Sequence, residues 1–492
     1  MTIEEQLKII EDVIDNGRYK ADWASLCRHK TPEWYQNAKF GIFIHWGVYS
    51  VPAYSNEWYS REMYDKTKPS YHYHLKRFGR HSEFGYKDFI PMFRAERFDA
   101  LQWAELFKKS GARYVMPVCE HHDGFAMYNT DFNRWNAVNM GPCRDVIGEI
   151  KSACEDKGLV FCGSSHRAEH YLFMNMGRTF DSDVNDERFE DFYGPAHYCR
   201  ELSSNTMHIT ASRSDSVPPS QEFLRDWLAR TCELIDRYQP KVLYFDWWIH
   251  NNAFKPYLKK LAAFYYNRAD EWGTEVSINY KHNAFVPGAA TFDVERGALK
   301  DISPVPWQTC TSIAKNSWGY TENNRFKSAR HIICDLIDIV SKNGMMLLNV
   351  GPRADGTITE EETSVLLDIG RWLEINGDGI YGTVPWKFFG EGKANVKDGF
   401  FQDNKDKGYT FKDFRFTYKD GCVYVFWMKP KKTDTVKIKR FKAVSQDFII
   451  KNVKLLGSDE SLDFTRDKKS MKIQLKDIPE DDMPLCFKLE LG

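Results

Sequence analysis

Asp246 ends a short apolar run, Val242-Leu-Tyr-Phe245, and two tryptophans, Trp247 and Trp248, follow it at once. A carboxylate at the carboxyl end of a buried strand is costly unless something uses it. Aromatic rings beside it suit the apolar face of a sugar ring. Other polar residues fall at comparable places. His45 and Trp46 follow Phe40-Gly-Ile-Phe-Ile44, with Glu57 and Trp58 shortly beyond. His121 and His122 follow the run Arg113 to Val118, and Glu295 lies in Thr291-Phe-Asp-Val-Glu-Arg-Gly297. Two carboxylates on different strand tips are what glycoside hydrolysis needs, one to attack the anomeric carbon and one to protonate the leaving oxygen. Each has a plainer role open to it: Asp246 can cap the next helix, and Glu295 can pair with Arg296. Glu120-His-His-Asp123 also leaves a metal-dependent hydrolase open. A metal site needs three or four convergent ligands, and adjacent histidines on an extended strand point opposite ways. Neutral histidines donating to sugar hydroxyls account for the cluster with no metal and no cofactor.

The elements that must hold these residues alternate between strand and helix. Asp99 caps a helix carrying Leu101, Trp103, Ala104, Leu106 and Phe107, and Gly111 stops it. A helix over Asp145 to Lys157 closes at Gly158 and leads to the strand Leu159-Val-Phe-Cys162. Ser220 caps a helix that ends before Pro240, and the Asp246 strand begins there. Glu275-Val-Ser-Ile-Asn279 and Met345-Met-Leu-Leu-Asn-Val-Gly351 read as further strands, with helices over Phe254 to Tyr266 and Phe326 to Ser341. Thr359 and Glu362 form a capping box for one more helix. Repeated strand–helix units with polar tips predict an α/β fold, a TIM-like (β/α) barrel over residues 1–388. Its first 38 residues form a helical lead-in, with Trp34 and Tyr35 against the barrel base. Residues 173–219, polar and rich in Asp, Arg and Ser, read as a loop insertion over the site. From 389 to 492 short alternating runs, including Tyr409-Thr-Phe411 and Cys422 to Trp427, predict a β-sandwich.

Composition excludes several partners. The chain has 492 residues, 68 Lys plus Arg and 69 Asp plus Glu, for a net charge of −1, which does not suit a nucleic-acid surface. No apolar run reaches the roughly 18 residues of a membrane span. The 11 cysteines are scattered without a CxxC pair, and Met1-Thr-Ile-Glu-Glu-Gln-Leu-Lys8 is not a secretory signal, so a cytoplasmic location is expected. Aromatics at 15% fit a carbohydrate site. The expected partner is a small-molecule or oligosaccharide substrate, and a homo-oligomer is compatible with the sequence.

Lys39-Phe-Gly-Ile-Phe-Ile-His-Trp-Gly-Val-Tyr-Ser-Val-Pro-Ala53 resembles the opening signature of family 29 glycoside hydrolases, the retaining α-L-fucosidases. Glu57-Trp-Tyr59, His121-His-Asp-Gly-Phe125, Phe245-Asp246, Val340-Ser-Lys-Asn-Gly344, Leu347-Leu-Asn-Val-Gly-Pro352, Asp355-Gly-Thr357 and Asn376-Gly-Asp-Gly-Ile-Tyr-Gly-Thr383 follow in that family's order. The resemblance implies Asp246 as nucleophile and a fucose pocket of His45, Glu57, Trp58, His121 and His122; Trp46, at the same rim, is expected beside them. Glu295 is the best match for the acid/base, with Asp293 as competitor, since two residues apart on an extended segment share a face. Trp58 or Trp247 would pack against the fucose methyl. Three places depart from the family pattern: Glu120 where lysine often precedes the histidine pair, Ser164-Ser-His-Arg-Ala-Glu-His170 in place of a tyrosine-containing strand end, and Trp247-Trp248. These leave the linkage open and add His166 as a contact to sugar or leaving group. An α-L-galactoside preference by the same mechanism, and a sugar-binding protein on a degenerate barrel, remain the other readings.

Overall fold

The structure is a computed structural model that describes residues 1–194, 215, 217–394, 396–404, 407–443, 448–475 and 482–492. Its centre is a closed parallel barrel. The strands are Phe40–Ile44, Tyr114–Glu120, Val160–Phe161 continued by Gly163–Ser165, Val242–Phe245, Ser277–Tyr280, Thr291–Asp293, Trp307–Ser312 and Gly344–Val350. Gly41 closes the ring, lying opposite Tyr114 on one side and Leu347 on the other. Helices Ala100–Lys109, Val146–Lys157, Gln221–Tyr238, Lys255–Glu271, Ala329–Val340 and Glu360–Asn376 are drawn from the connections between the strands. Local chemistry sets their ends. The Asp145 side chain accepts from Gly148 N at 3.0 Å to start one helix. Gly158, at φ +65°, stops it in a left-handed turn that residues with a Cβ adopt at a cost.

Period-two alternation sorts each strand's side chains between two cores. Phe43, Tyr114, Met116, Cys162, Val242, Tyr244, Cys310, Met345 and Leu347 fill the barrel interior, and Tyr35 from helix Glu33–Ala38 plugs its base. Phe40, Ile42, Ile44, Leu243, Phe245 and Ile278 face outward against the helices. This parity decides which residue at each strand tip looks into the barrel mouth.

The C-terminal unit is two antiparallel sheets. One has the order Val384–Glu391, Phe414–Lys419, Cys422–Trp427, Leu485–Leu491 and Ile450–Leu455; the other is Thr435–Ile438, Met471–Gln474 and Phe464–Arg466. Trp386, Phe416, Val425, Trp427, Ile473 and Phe487 lie in the core they share. Tyr409–Phe411, expected as a strand, is instead a turn: Asp413 Oδ2 accepts from Thr410 N at 2.7 Å and from Thr410 Oγ1 at 2.6 Å, which bends the backbone back. Within the expected insertion, the described residues 173–194 are short helical turns such as Asn175–Thr179 and Glu190–Tyr193. The rest of that insertion, apart from 215 and 217–219, lies outside the described residues.

Buried charge ties the two units together. Asp338, on helix Ala329–Val340, is fully buried and accepts from Lys342 Nζ at 2.8 Å and from Arg415 Nε of the C-terminal sheet at 2.6 Å. Burial disfavours its charge, but Lys342 and Arg415 outweigh this and hold the carboxyl far below the usual range. Asp338→Ala leaves two cations without their buried partner. It should cost about 3–5 kcal/mol of stability by denaturant titration. A loss below about 1 kcal/mol would mean that Lys342 and Arg415 find other partners.

Candidate active site

The barrel mouth is lined by inward residues just beyond the strand ends. His45 follows Phe43 on the inward parity of its strand, and its Nδ1 lies 2.7 Å from Asn349 Oδ1 on the strand beside it. His166 follows Ser164 in the same way, with 2.6 Å between its Nε2 and the Ser164 hydroxyl. Asp246 follows Tyr244, and Glu295 follows Asp293. Lys281, one residue past strand Ser277–Tyr280, completes the set.

Lys281 is the hinge of the electrostatics. Its ammonium is buried and donates to Asp246 Oδ1 at 2.5 Å and to Glu295 Oε2 at 2.6 Å. One nitrogen this close to both holds the nearest oxygens of the two carboxylates no more than about 5 Å apart. Glu295 Oε2 also accepts from Trp247 Nε1 at 2.5 Å, which leaves Oε1 as the oxygen to carry a proton. His122 Nε2 and His166 Nδ1 each lie 3.3 Å from Asp246 Oδ2.

The protonation pattern follows from burial and these neighbours. Burial disfavours charge on Asp246, but Lys281, His166 and His122 outweigh it and hold the carboxyl well below its ordinary value. Burial likewise disfavours the Lys281 cation, and Asp246 with Glu295 pushes it well above its ordinary value. Burial and the surrounding histidines keep His45 and His121 neutral, and burial lowers His166 despite Asp246. His122 goes the other way. Burial opposes its charge, yet its bond to Asp246 and the charge of Glu169 raise it. Glu169 sits 3.9 Å from His122 and is itself held by Arg61 at 2.7 Å.

The walls are aromatic. Trp58 meets His122 edge-on at 5.6 Å, and Phe173, at the start of the expected insertion, packs 4.8 Å from His122. Trp318 lies 5.1 Å from His45. Glu57 fixes that wall: its Oε2 accepts from Ser317 Oγ at 3.0 Å and from Trp318 N at 2.8 Å, and burial raises its pKa.

Several expected positions need correction. Trp46 does not join the cluster. It has the outward parity of Ile44, donates to the Arg353 carbonyl at 2.7 Å, and packs against Phe93, Phe98 and Trp103. Glu120 does not border the site either. A register shift between Val118 and Glu120 turns it outward, where Arg167 and Arg230 pair with it at 2.7 and 3.1 Å. His121 and His122 do not point apart. The strand ends at Glu120, and in the turn beyond it their rings approach to 4.4 Å. Asp293 is inward but deeper than Glu295, sealed below the mouth by bonds from Gln308, Tyr244 and Cys310, with burial pushing its carboxyl up to about 6. Lys281, Phe173 and Trp318 had not been singled out. Only Lys281 carries a sequence signal, being the inward-parity polar residue after its strand.

Among the described residues, two groups bring ligand atoms within 4.8 Å of one another, His45 with His121 and His166, and His122 with His166 and Asp246. The first offers three neutral imidazoles to a divalent cation. The second shares Asp246 with the Lys281 ammonium, whose charge opposes one. The chemistry the mouth is built for is that of two carboxylates around a cation, with histidine N–H groups and aromatic faces as walls.

Residues 7–378 match the model of the alpha-L-fucosidase family, and residues 407–491 match its C-terminal domain. The human tissue alpha-L-fucosidase is 31% identical over 377 residues, 75% of this chain and 73% of that protein. The alpha-L-fucosidase of Dictyostelium discoideum is 30% identical over 400 residues, 77% of each chain. A Thermotoga maritima alpha-fucosidase, crystallised with a mechanism-based inhibitor, superposes with a TM-score of 0.75 at 31% identity and covers 96% of this chain and all of that one.

Lys281→Met tests the electrostatic account through stability alone. In the wild type the depressed Asp246 pKa contributes stability above the unfolded value of about 3.9, which is lost as pH falls through the folded value. Without Lys281 the buried carboxylates favour their neutral forms. The variant should be destabilised by about 3–5 kcal/mol at neutral pH, and the gap should shrink as pH falls through about 5 and protons neutralise them. A gap that does not depend on pH between 5 and 8 would contradict the pairing.

Proposed function

The chain belongs to the α-L-fucosidase family of glycoside hydrolases, and on that premise we propose that it removes terminal α-L-fucosyl residues with retention, Asp246 acting as nucleophile and Glu295 as acid/base. The observation that carries this reading is the shared ammonium of Lys281. It holds the nearest oxygens of the two carboxylates no more than about 5 Å apart, which accords with the short carboxyl separation of retaining enzymes. A Thermotoga maritima relative was crystallised with fucose itself.

In the first step a carboxylate oxygen of Asp246 attacks the anomeric carbon. The bond to the leaving oxygen breaks, and the proton on Glu295 Oε1 passes to that oxygen. In the second step water attacks the same carbon, gives its proton to Glu295, and frees Asp246. Lys281, His122 and His166 keep Asp246 ionised and ready to attack. Lys281 and Trp247 hold Oε2 of Glu295, which aims Oε1 at the leaving group. Neutral His45 and His121 donate N–H groups to hydroxyls of the bound sugar, with Glu57 and His166 at its edge. Trp58 covers the apolar ring face. This reading gives Asp293, sealed beneath the mouth, no part in the proton transfer.

Asp246→Ala should lower turnover of an aryl α-L-fucoside by at least about 10³-fold, and full residual activity would sink the nucleophile assignment. Glu295→Ala should lose about 10²–10⁴-fold on substrates with poor leaving groups and regain activity with added azide when the leaving group is good. Azide rescue of Asp293→Ala instead would move the acid/base to that residue.

A panel of aryl glycosides separates the remaining readings. α-L-Fucoside should be hydrolysed best and equally well with and without a chelator. Loss of activity with the chelator would favour a metal-dependent hydrolase, and a preference for α-L-galactoside would change the sugar but not the mechanism.

A further inference from the structure

Residues 399–403, in the connection between the first two strands of the C-terminal sheet, Val384–Glu391 and Phe414–Lys419, run back over the barrel mouth. Gly399 and Ala298 bond each other antiparallel, N–H to carbonyl, at 2.9 and 3.3 Å. The next amides continue along the acid/base loop: Phe401 N donates to the carbonyl of Glu295 at 3.0 Å, and Gln402 N and Asp403 N donate to that of Arg296 at 2.7 and 2.9 Å. A buried ionic anchor holds the far end. Asp403 Oδ2 accepts from Lys327 Nζ at 2.5 Å and Thr311 Oγ1 at 2.6 Å, with Arg296 at 3.3 Å.

This strap sets Phe400 and Phe401 beside Trp247. Their ring centroids lie 5.4 and 6.5 Å from that of Trp247, and the Phe401 ring is within 14° of parallel to it. Phe401 is 55% exposed. Its φ is +56°, a conformation that a bulky side chain adopts only under strain. A large apolar ring left more than half exposed, in a strained backbone fixed at both ends, is not accounted for by burial. Its position is specific. Trp247 donates to Glu295, and the Phe401 amide bonds the Glu295 carbonyl, so the aromatic patch borders the carboxylate that meets the leaving oxygen.

We propose that Trp247, Phe400 and Phe401 form a leaving-group subsite that packs on the apolar face of the sugar to which fucose is attached. The proposal rests on the fucosidase reading of the same mouth. Phe401 supplies the outer platform. It offers ring area to a neutral pyranose and no charge to an acidic one. The strap thus makes the C-terminal segment a determinant of which glycans are cleaved.

The test compares two substrates that carry the same fucose. α-L-Fucosyl fluoride leaves nothing in the subsite; a fucosyl disaccharide with a neutral hexose or N-acetylhexosamine fills it. The disaccharide is the one, among 2-, 3-, 4- and 6-linked isomers, that the wild type cleaves best. In Phe401→Ala and Phe401→Gly the ratio of kcat/KM for disaccharide to fluoride should fall about tenfold. Phe401→Trp should keep that ratio within about threefold of wild type. Glycine relieves the positive φ, so Phe401→Gly should melt no lower than wild type, which separates loss of the ring from loss of the fold. An unchanged ratio in both truncations, or a wild type that cleaves the fluoride but no disaccharide, overturns the subsite. A wild type that cleaves neither overturns the fucosidase reading with it.

Discussion

The ammonium of Lys281, buried between two carboxylates, is the interaction on which the rest of this site depends. A lone buried carboxylate takes up a proton to escape the cost of its charge, and a protonated Asp246 is no nucleophile. Lys281 removes that cost for Asp246 and sets its distance from Glu295 through the same atom. The histidines can then stay neutral, as burial demands, because the counter-charge is supplied elsewhere. His122 is the exception, and it is the one that also faces Glu169. The barrel interior beneath, closed by Tyr35, Tyr114 and Tyr244, keeps water from screening these charges from below.

The barrel was legible in the sequence because strands alternate with helices and end in polar tips, several of which have inward parity. Phe43 to His45, Tyr244 to Asp246 and Asn279 to Lys281 each step by two, and that step places the side chain over the mouth. The same rule, applied to Ile44 and Trp46, puts Trp46 on the outer face. Its place at the strand tip beside His45 drew it into the expected pocket, and parity would have kept it out. Lys281 was missed because the expected strand stopped at Asn279.

Other features lay beyond any local pattern. A register shift after Val118 breaks the parity that would have turned Glu120 inward. Asp293 and Glu295 share a face, as their spacing allows, and differ in depth, which depends on how far the neighbouring strands rise around them. Gln308 and Cys310, from the next strand, close over Asp293 and not over Glu295. The strap from 399 to 403 is set by pairing with residues about a hundred positions earlier, and nothing in its own composition announces that contact. It means that the C-terminal unit, which shows no catalytic cluster among its described residues, still reaches the mouth of the barrel.

The proposed mechanism passes through a covalent bond between Asp246 and the sugar. Incubation with 2-deoxy-2-fluoro-α-L-fucosyl fluoride slows the second step and traps that species, and peptide mass spectrometry locates it. One fluorofucosyl group per chain is expected, on the peptide containing Asp246. A label on another carboxylate, or rapid turnover and inversion with no label at all, would contradict it.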